Sequence, residues 1–184
     1  MADREPGSIE VEGYASIRSA RVDLGRLNVL IGANGAGKSN FIRVFELLGR
    51  LVEEDPGDFV GLNGGASALL NSAGVDEIRV FLEGRPHSYE AVLEPGSNDE
   101  LIFKNEVLSR SSDVVADDFD HWNISGGNRG ETSLHGLDRE DDVPIAAHLV
   151  DLLRGCRVYH FPDHAVRLLR VPRRVSRHGR SAIR

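Results

Sequence analysis

The sequence predicts an α/β fold with a mixed sheet, and three observations carry that prediction. A near-continuous apolar run, Leu27-Asn28-Val29-Leu30-Ile31, feeds directly into a glycine-rich loop at Gly32. That loop opens onto a stretch with helical apolar spacing, and segments of alternating apolar and polar residues lie on both sides of the unit. A strand apolar on both faces suits a parallel sheet covered by helices, whereas alternating strands suit an antiparallel layer with one wet face.

Taken in order, Ile9-Glu10-Val11-Glu12 and Ala20-Arg21-Val22-Asp23-Leu24 alternate and predict an antiparallel pair turning around residues 16–19. Leu27 to Ile31 forms the next expected strand. From Lys38, the apolar positions Phe41, Ile42, Phe45, Leu48, Leu51 and Val52 keep helical spacing, with Arg43, Glu46, Arg50 and Glu53 largely on the other side. Glu54-Asp55-Pro56-Gly57 is expected to end this helix, and Asp58 to Gly74 reads as a surface connection with at best a short helix over Ala66–Leu70.

Ile78–Leu82 and Tyr89–Leu93, separated by Gly84-Arg85-Pro86, predict a hairpin, with a further strand over Leu101–Leu108. Residues 113–142 read as irregular except for a short strand at His121-Trp122-Asn123-Ile124. Asp142 as N-cap, Pro144 in the first turn, the face Ile145, Leu149, Leu152 and Leu153, and Gly155 at the stop predict another helix. Arg157-Val158-Tyr159-His160-Phe161 follows as a core strand. The chain divides into one domain over residues 1–163 and an irregular basic tail over 164–184.

Composition bounds the class. In 184 residues, 40% hydrophobic and 28% charged side chains describe a globular domain rather than a disordered one. The single Cys156 cannot close an intrachain disulfide and reads as a small buried hydrophobe. No apolar run approaches the roughly 18 residues of a membrane span, and residues 1–6 hold no signal-peptide core, so the expectation is a cytoplasmic chain with no membrane partner. The net charge of −7 hides a split, because residues 164–184 hold seven arginines and no acid, which leaves −14 upstream. An acidic body argues against a broad nucleic-acid face on this chain alone.

Gly32-Ala33-Asn34-Gly35-Ala36-Gly37-Lys38-Ser39 matches G-x-x-x-x-G-K-[ST], the phosphate-cradling P-loop, between an expected strand and an expected helix. Gly32, Gly35 and Gly37 let backbone N–H groups converge on phosphate oxygens, and the helix N-terminus adds further donors. Lys38, one of only two lysines in the chain, would reach the β- and γ-phosphates, and the Ser39 hydroxyl would ligate Mg²⁺. ATP and Mg²⁺ are the expected ligands.

Hydrolysis requires a second acidic element, usually an apolar strand ending in Asp, and a group orienting water. Ala146 to Asp151 has suitable letters but lies in the predicted helix, and Ile78 to Glu83 is an alternating hairpin strand, so no catalytic residue is assigned. Asp117, Asp118, Asp120 and His121 read as a solvated loop rather than a metal cluster. The seven His residues show no zinc spacing beside Cys156, and no Ser-His-Asp or Cys-His framework emerges.

Residues 27–42, preceded by Gly13-Tyr14-Ala15-Ser16-Ile17-Arg18-Ser19-Ala20, resemble the start of RecF/SMC-like ATPases of the ABC class, and bacterial predicted ATPases of the AAA family in particular. The marks are Asn34 within the loop, Ser39-Asn40-Phe41 after it, and Ile17-Arg18-Ser19 upstream; residues 157–161 share the likeness. The resemblance implies lobe I of an ABC-type head, incomplete at its C-terminus. Gly32, Asn34, Gly35, Ala36, Gly37, Lys38, Ser39 and Asn40 would then hold the nucleotide, with Arg18 close to it.

In such families an LSGGQ-like signature and a Walker B strand complete the site, and two heads sandwich ATP. Ile124-Ser125-Gly126-Gly127-Asn128 invites comparison with the signature, but the chain contains no Gln, which excludes a strict match. The resemblance therefore implies a head-to-head homodimer or a partner subunit supplying the missing groups, in DNA repair or genome maintenance with DNA as a further partner. Two alternatives stand beside it: a non-enzymatic nucleotide-binding module or truncated remnant, and a P-loop kinase acting on a small molecule, for which Arg154 or Arg157 would have to serve as lid. The arginine-rich text after Phe161 breaks from the family pattern as a shifted reading frame in a GC-rich gene would.

Overall fold

The computed structural model describes residues 6–52, 56–72, 74–84, 87–111, 119–124, 132, 150 and 153–155. Six strands form one sheet: β1 (Pro6–Tyr14), β2 (Ile17–Asp23), β3 (Ile78–Gly84), β4 (His87–Pro95), β5 (Leu101–Ser111) and β6 (Phe119–Asn123). Their spatial order is β2-β1-β3-β4-β5-β6, and each pairing is antiparallel. Three helices, α1 (Lys38–Val52), α2 (Pro56–Leu62) and α3 (Ala66–Leu69), occupy the connection between β2 and β3. The α/β class and the antiparallel layer match the expectation.

Alternation sets the two faces. Ile9 and Val11 of β1, Ile78, Val80 and Leu82 of β3, Tyr89, Ala91 and Leu93 of β4, and Phe103 and Leu108 of β5 point inward and are buried. Onto this face α1 lays Phe41, Val44, Leu47, Leu48, Leu51 and Val52, joined by Phe59 and Val60 of α2. Each fully buried side chain of this kind contributes roughly 1.5–3 kcal/mol. The other face carries charge in cross-strand pairs: Arg21 Nη1 donates to Glu10 Oε1 at 2.6 Å, and Arg79 bridges Glu10 and Glu90. Such partly exposed pairs favour this register more than they add stability.

Several expectations are corrected. Leu27 to Ile31 is not assigned as a strand, and every described sheet pairing lies outside it. Its physical reason lies at the start of the run, where the Asn28 side chain accepts from the Gly25 amide at 3.0 Å and donates to the Gly25 carbonyl at 2.9 Å. This loop closes just after β2 and leaves the apolar run without a described strand beside it. Helix α1 ends at Val52, ahead of the expected stop, but the stretch read as a surface connection begins with a second helix, α2, because a proline costs nothing in a first turn whose amide has no intrahelical partner. Ile42, placed on the inner face of α1, is 39% exposed, and Val44 and Leu47 take the inward positions.

The remaining strands appear close to their expected bounds, with β6 starting at Phe119 rather than His121. Val150, Leu153 and Arg154 are helical, and Val150 and Leu153 are buried, in keeping with the predicted second helix. The rest of that helix, the strand expected at 157–161, residues 125–128 and the basic tail lie outside the described residues. No group of three or more metal-ligating side chains occurs among the described residues, and no helix among them is long and apolar enough to cross a membrane.

Two buried phenols give the core a titratable component. Tyr89 donates its hydroxyl to the buried Glu106 carboxylate at 2.6 Å, and Thr132 donates to the same oxygen. Burial first, and the adjacent carboxylate second, push the Tyr89 pKa well above its usual value. Tyr14 is fully buried with a hydroxyl that finds no hydrogen-bond partner among the described residues, and burial pushes its pKa up to about 12.

A phenol whose folded pKa exceeds its unfolded value of about 10 stabilises the fold below that pH and loses its contribution as pH rises through the folded value. Denaturant titrations at stepped pH are expected to show stability falling from about pH 10 upward, and Tyr14→Phe to flatten part of the loss. At neutral pH, Tyr14→Phe should raise stability by about 1 kcal/mol, since an unmet buried donor disappears. Tyr89→Phe should lower it by about 1–3 kcal/mol, because the buried Glu106 carboxylate loses a donor.

Candidate functional site

The glycine-rich loop at 32–37 is shaped by its own backbone. Gly35 and Gly37 have φ of +82° and +86°, the left-handed region where a side chain would be strained. Between them the Ala36 amide donates to the Ala33 carbonyl at 3.2 Å, which closes the turn. The whole of residues 32–36 is exposed, so the concave backbone faces solvent.

Helix α1 starts immediately after, and its first intrahelical bond runs from the Phe41 amide to the Gly37 carbonyl at 2.9 Å. The amides of Lys38, Ser39 and Asn40 therefore precede the helical ladder, at the positive end of a 15-residue helix whose first turn contains no acid. This arrangement favours an anion. Lys38 folds back across the loop, and its ammonium donates to the carbonyls of Gly32 and Ala33, both at 2.7 Å. Its charge is thereby held over the loop that the glycines shape.

Ser39 is exposed in the first turn. Asn40 Nδ2 donates to Ser16 Oγ at 2.8 Å. Arg18 lies near the start of β2 and is exposed. Among the described contacts, none joins Arg18 to the loop. Asn34 is exposed at the loop tip. The structure thus runs Gly32 to Asn40 consecutively through the loop and into the first turn of α1, and it keeps Arg18 on β2.

Two partners of this cradle escaped the sequence reading. Ser16, in the β1–β2 turn, contacts the start of α1 across 24 positions of sequence. Asn71 holds that turn from behind, its amide donating to the Gly13 carbonyl at 2.8 Å and its side chain to the Ala15 carbonyl at 2.7 Å. A small polar residue in a turn and an Asn after a short helix are ordinary signals, and nothing local ties either of them to the loop.

On its other flank the cradle is bare. Leu27 is 85% exposed, Val29 72% and Ile31 91%. The loop is thus anchored through its helix and uncovered along its apolar run.

Residues 27–121 match the family described as "AAA domain, putative AbiEii toxin, Type IV TA system". No curated protein sequence matches the chain. A solved structure from work described as "Structural biochemistry of ATP-driven dimerization and DNA stimulated activation of SMC ATPases" aligns at 16% identity over 91% of this chain and 92% of that chain, with a TM-score of 0.37. The family match spans more than half of the sequence, from the apolar run into β6, and encloses the glycine-rich cradle with its Lys38. The chain belongs to this AAA-domain family of nucleotide-binding ATPases.

Proposed function

We propose that the protein captures Mg-ATP at the cradle formed by residues 32–40, with Lys38 on the β- and γ-phosphates and the Ser39 hydroxyl on Mg²⁺. The observation that carries this reading is the conjunction of two left-handed glycines, an acid-free helix N-terminus and a lysine ammonium held above the loop. Each element suits a polyphosphate: backbone donors converge, the helix end is positive, and the Lys38 ammonium compensates the γ-charge. Gly32, Asn34, Gly35, Ala36 and Gly37 supply the loop, Asn40 the start of the helix, and Arg18 a neighbouring positive charge. Magnesium, when bound with ATP, would neutralise and orient the phosphate oxygens.

Turnover, on this reading, belongs to an assembly. No group that could orient an attacking water stands beside the cradle among the described residues. The apolar run Leu27, Val29 and Ile31, exposed directly beside the loop, supports completion of the site by a second polypeptide, either another copy in a head-to-head dimer or a different subunit. ATP-dependent assembly of this kind would suit control of DNA engagement in repair or genome maintenance, with the DNA surface lying largely on the partner because this chain is acidic overall. The same exposed run favours, as a second reading, a non-enzymatic nucleotide-binding module that docks on its partner.

Calorimetric titration of Mg-ATP is expected to show saturable binding by the wild-type chain and none by Lys38→Ala; equal affinity in the two would sink the assignment. The ATPase rate per molecule should rise with protein concentration, or on adding the completing subunit, if the assembly hydrolyses ATP. A rate that stays at background at every concentration and with every subunit, while binding persists, selects the non-enzymatic module.

A further inference from the structure

The contact between the β1–β2 turn and the start of α1 sits where it can set the geometry of the phosphate cradle. We infer that Ser16 is a positioning residue for Mg-ATP binding, acting through Asn40 and the last glycine of the loop on Lys38 and Ser39; this rests on the nucleotide reading above.

Ser16 bonds the chain on one side of the two functional side chains and stands close to it on the other. After them, its Oγ accepts from Asn40 Nδ2 at 2.8 Å. Before them, it lies so close to Gly37 that a Cβ built there would stand 3.3 Å from the same oxygen. Lys38 and Ser39 are the only residues between these two contact points. The first turn of a helix is where fraying is least opposed, because its amides lack intrahelical partners. A hydroxyl that stands beside residue 37 and is bonded to residue 40 holds that turn in register.

The strut is useful only if its base is rigid, and the base is over-determined. Ala15 sits at φ 48°, in the left-handed region that a residue with a side chain keeps only when its surroundings enforce it. The Ala15 amide donates to the Leu69 carbonyl at 2.7 Å, its carbonyl accepts from Asn71 Nδ2 at 2.7 Å, and the Asn71 amide donates to the Gly13 carbonyl at 2.8 Å. Gly13, at φ 71°, also lets the Glu77 carbonyl pack against the turn, since a Cβ there would meet that oxygen at 2.1 Å. The sheet therefore presents Ser16 at a fixed place, and Ser16 passes that place on to the cradle. Ordering Ser39 and the loop amides before the ligand arrives spares part of the ordering cost of binding.

The test is calorimetric titration of the full chain with ATP, in Mg²⁺ and separately in EDTA, using wild type, Ser16→Ala, Ser16→Thr, Asn40→Ala and the double alanine variant. Ser16→Ala and Asn40→Ala should each weaken Mg-ATP binding about three- to tenfold, the loss expected for one hydrogen bond. The double variant should lose no more than the weaker-binding single one, since both remove the same contact. Ser16→Thr keeps the hydroxyl and should bind like wild type. The loss should be larger in Mg²⁺ than in EDTA, because Ser39 is the group displaced, and the melting temperature should not move, because Ser16 is exposed. Wild-type affinity in Ser16→Ala, additive losses in the double variant, or equal losses with and without Mg²⁺ would overturn the inference. A wild-type chain that binds no Mg-ATP defeats the nucleotide reading as well; binding abolished by Lys38→Ala yet untouched by Ser16→Ala defeats the positioning role alone.

Discussion

The seating of α1 on the inner face of the antiparallel sheet is the constraint on which the rest depends. Phe41, Val44, Leu47, Leu48 and Leu51 bury against strand residues such as Val11 and Val80, and that apolar contact fixes the helix in both rotation and height. Because α1 begins at Lys38, fixing the helix also fixes where its unsatisfied amides point and where Lys38 and Ser39 stand. The glycine-rich loop inherits its position from hydrophobic packing several residues away. The β1–β2 turn then secures the one part of the helix that packing reaches least.

The cradle is asymmetric in its support. On the helix side it is continuous with a buried core and braced through Ser16 and Asn40; on the strand side Leu27, Val29 and Ile31 lie exposed. Anion capture and anion turnover make different demands on such a site. Capture needs converging donors and a positive charge, which a loop and one helix end provide locally. Turnover needs additional groups held on the far side of the phosphates, which requires a neighbouring element with its own rigid support.

Local rules made much of the fold legible. The β1–β2 and β3–β4 hairpins followed from alternation, because an antiparallel strand with one wet face writes its orientation into every second residue. The loop was legible for a similar reason: its glycines and Lys38 must be consecutive, so their spacing survives in the sequence. Other features depended on partners far along the chain. Glu106 falls on an inward position of β5 and is tolerated there because Tyr89 and Thr132, from other segments, donate to it. Pro56 reads equally well as the end of one helix and the start of another, and only the burial of Phe59 and Val60 selects the start.

The sequence by itself determined the α/β class, the paired strands and the composition of the phosphate loop, since each is governed by periodicity or by contiguous residues. Only the tertiary structure decided which face of α1 turns inward, putting Val44 and Leu47 there and Ile42 outside. It alone brought Ser16 to Asn40, and among the described residues it gave the apolar run at Leu27–Ile31 no strand to pair with. The physical reason is common to all three. A side chain's preference for burial or for a hydrogen bond is encoded locally, whereas the identity of the surface or the partner that satisfies it is a property of the whole packed chain.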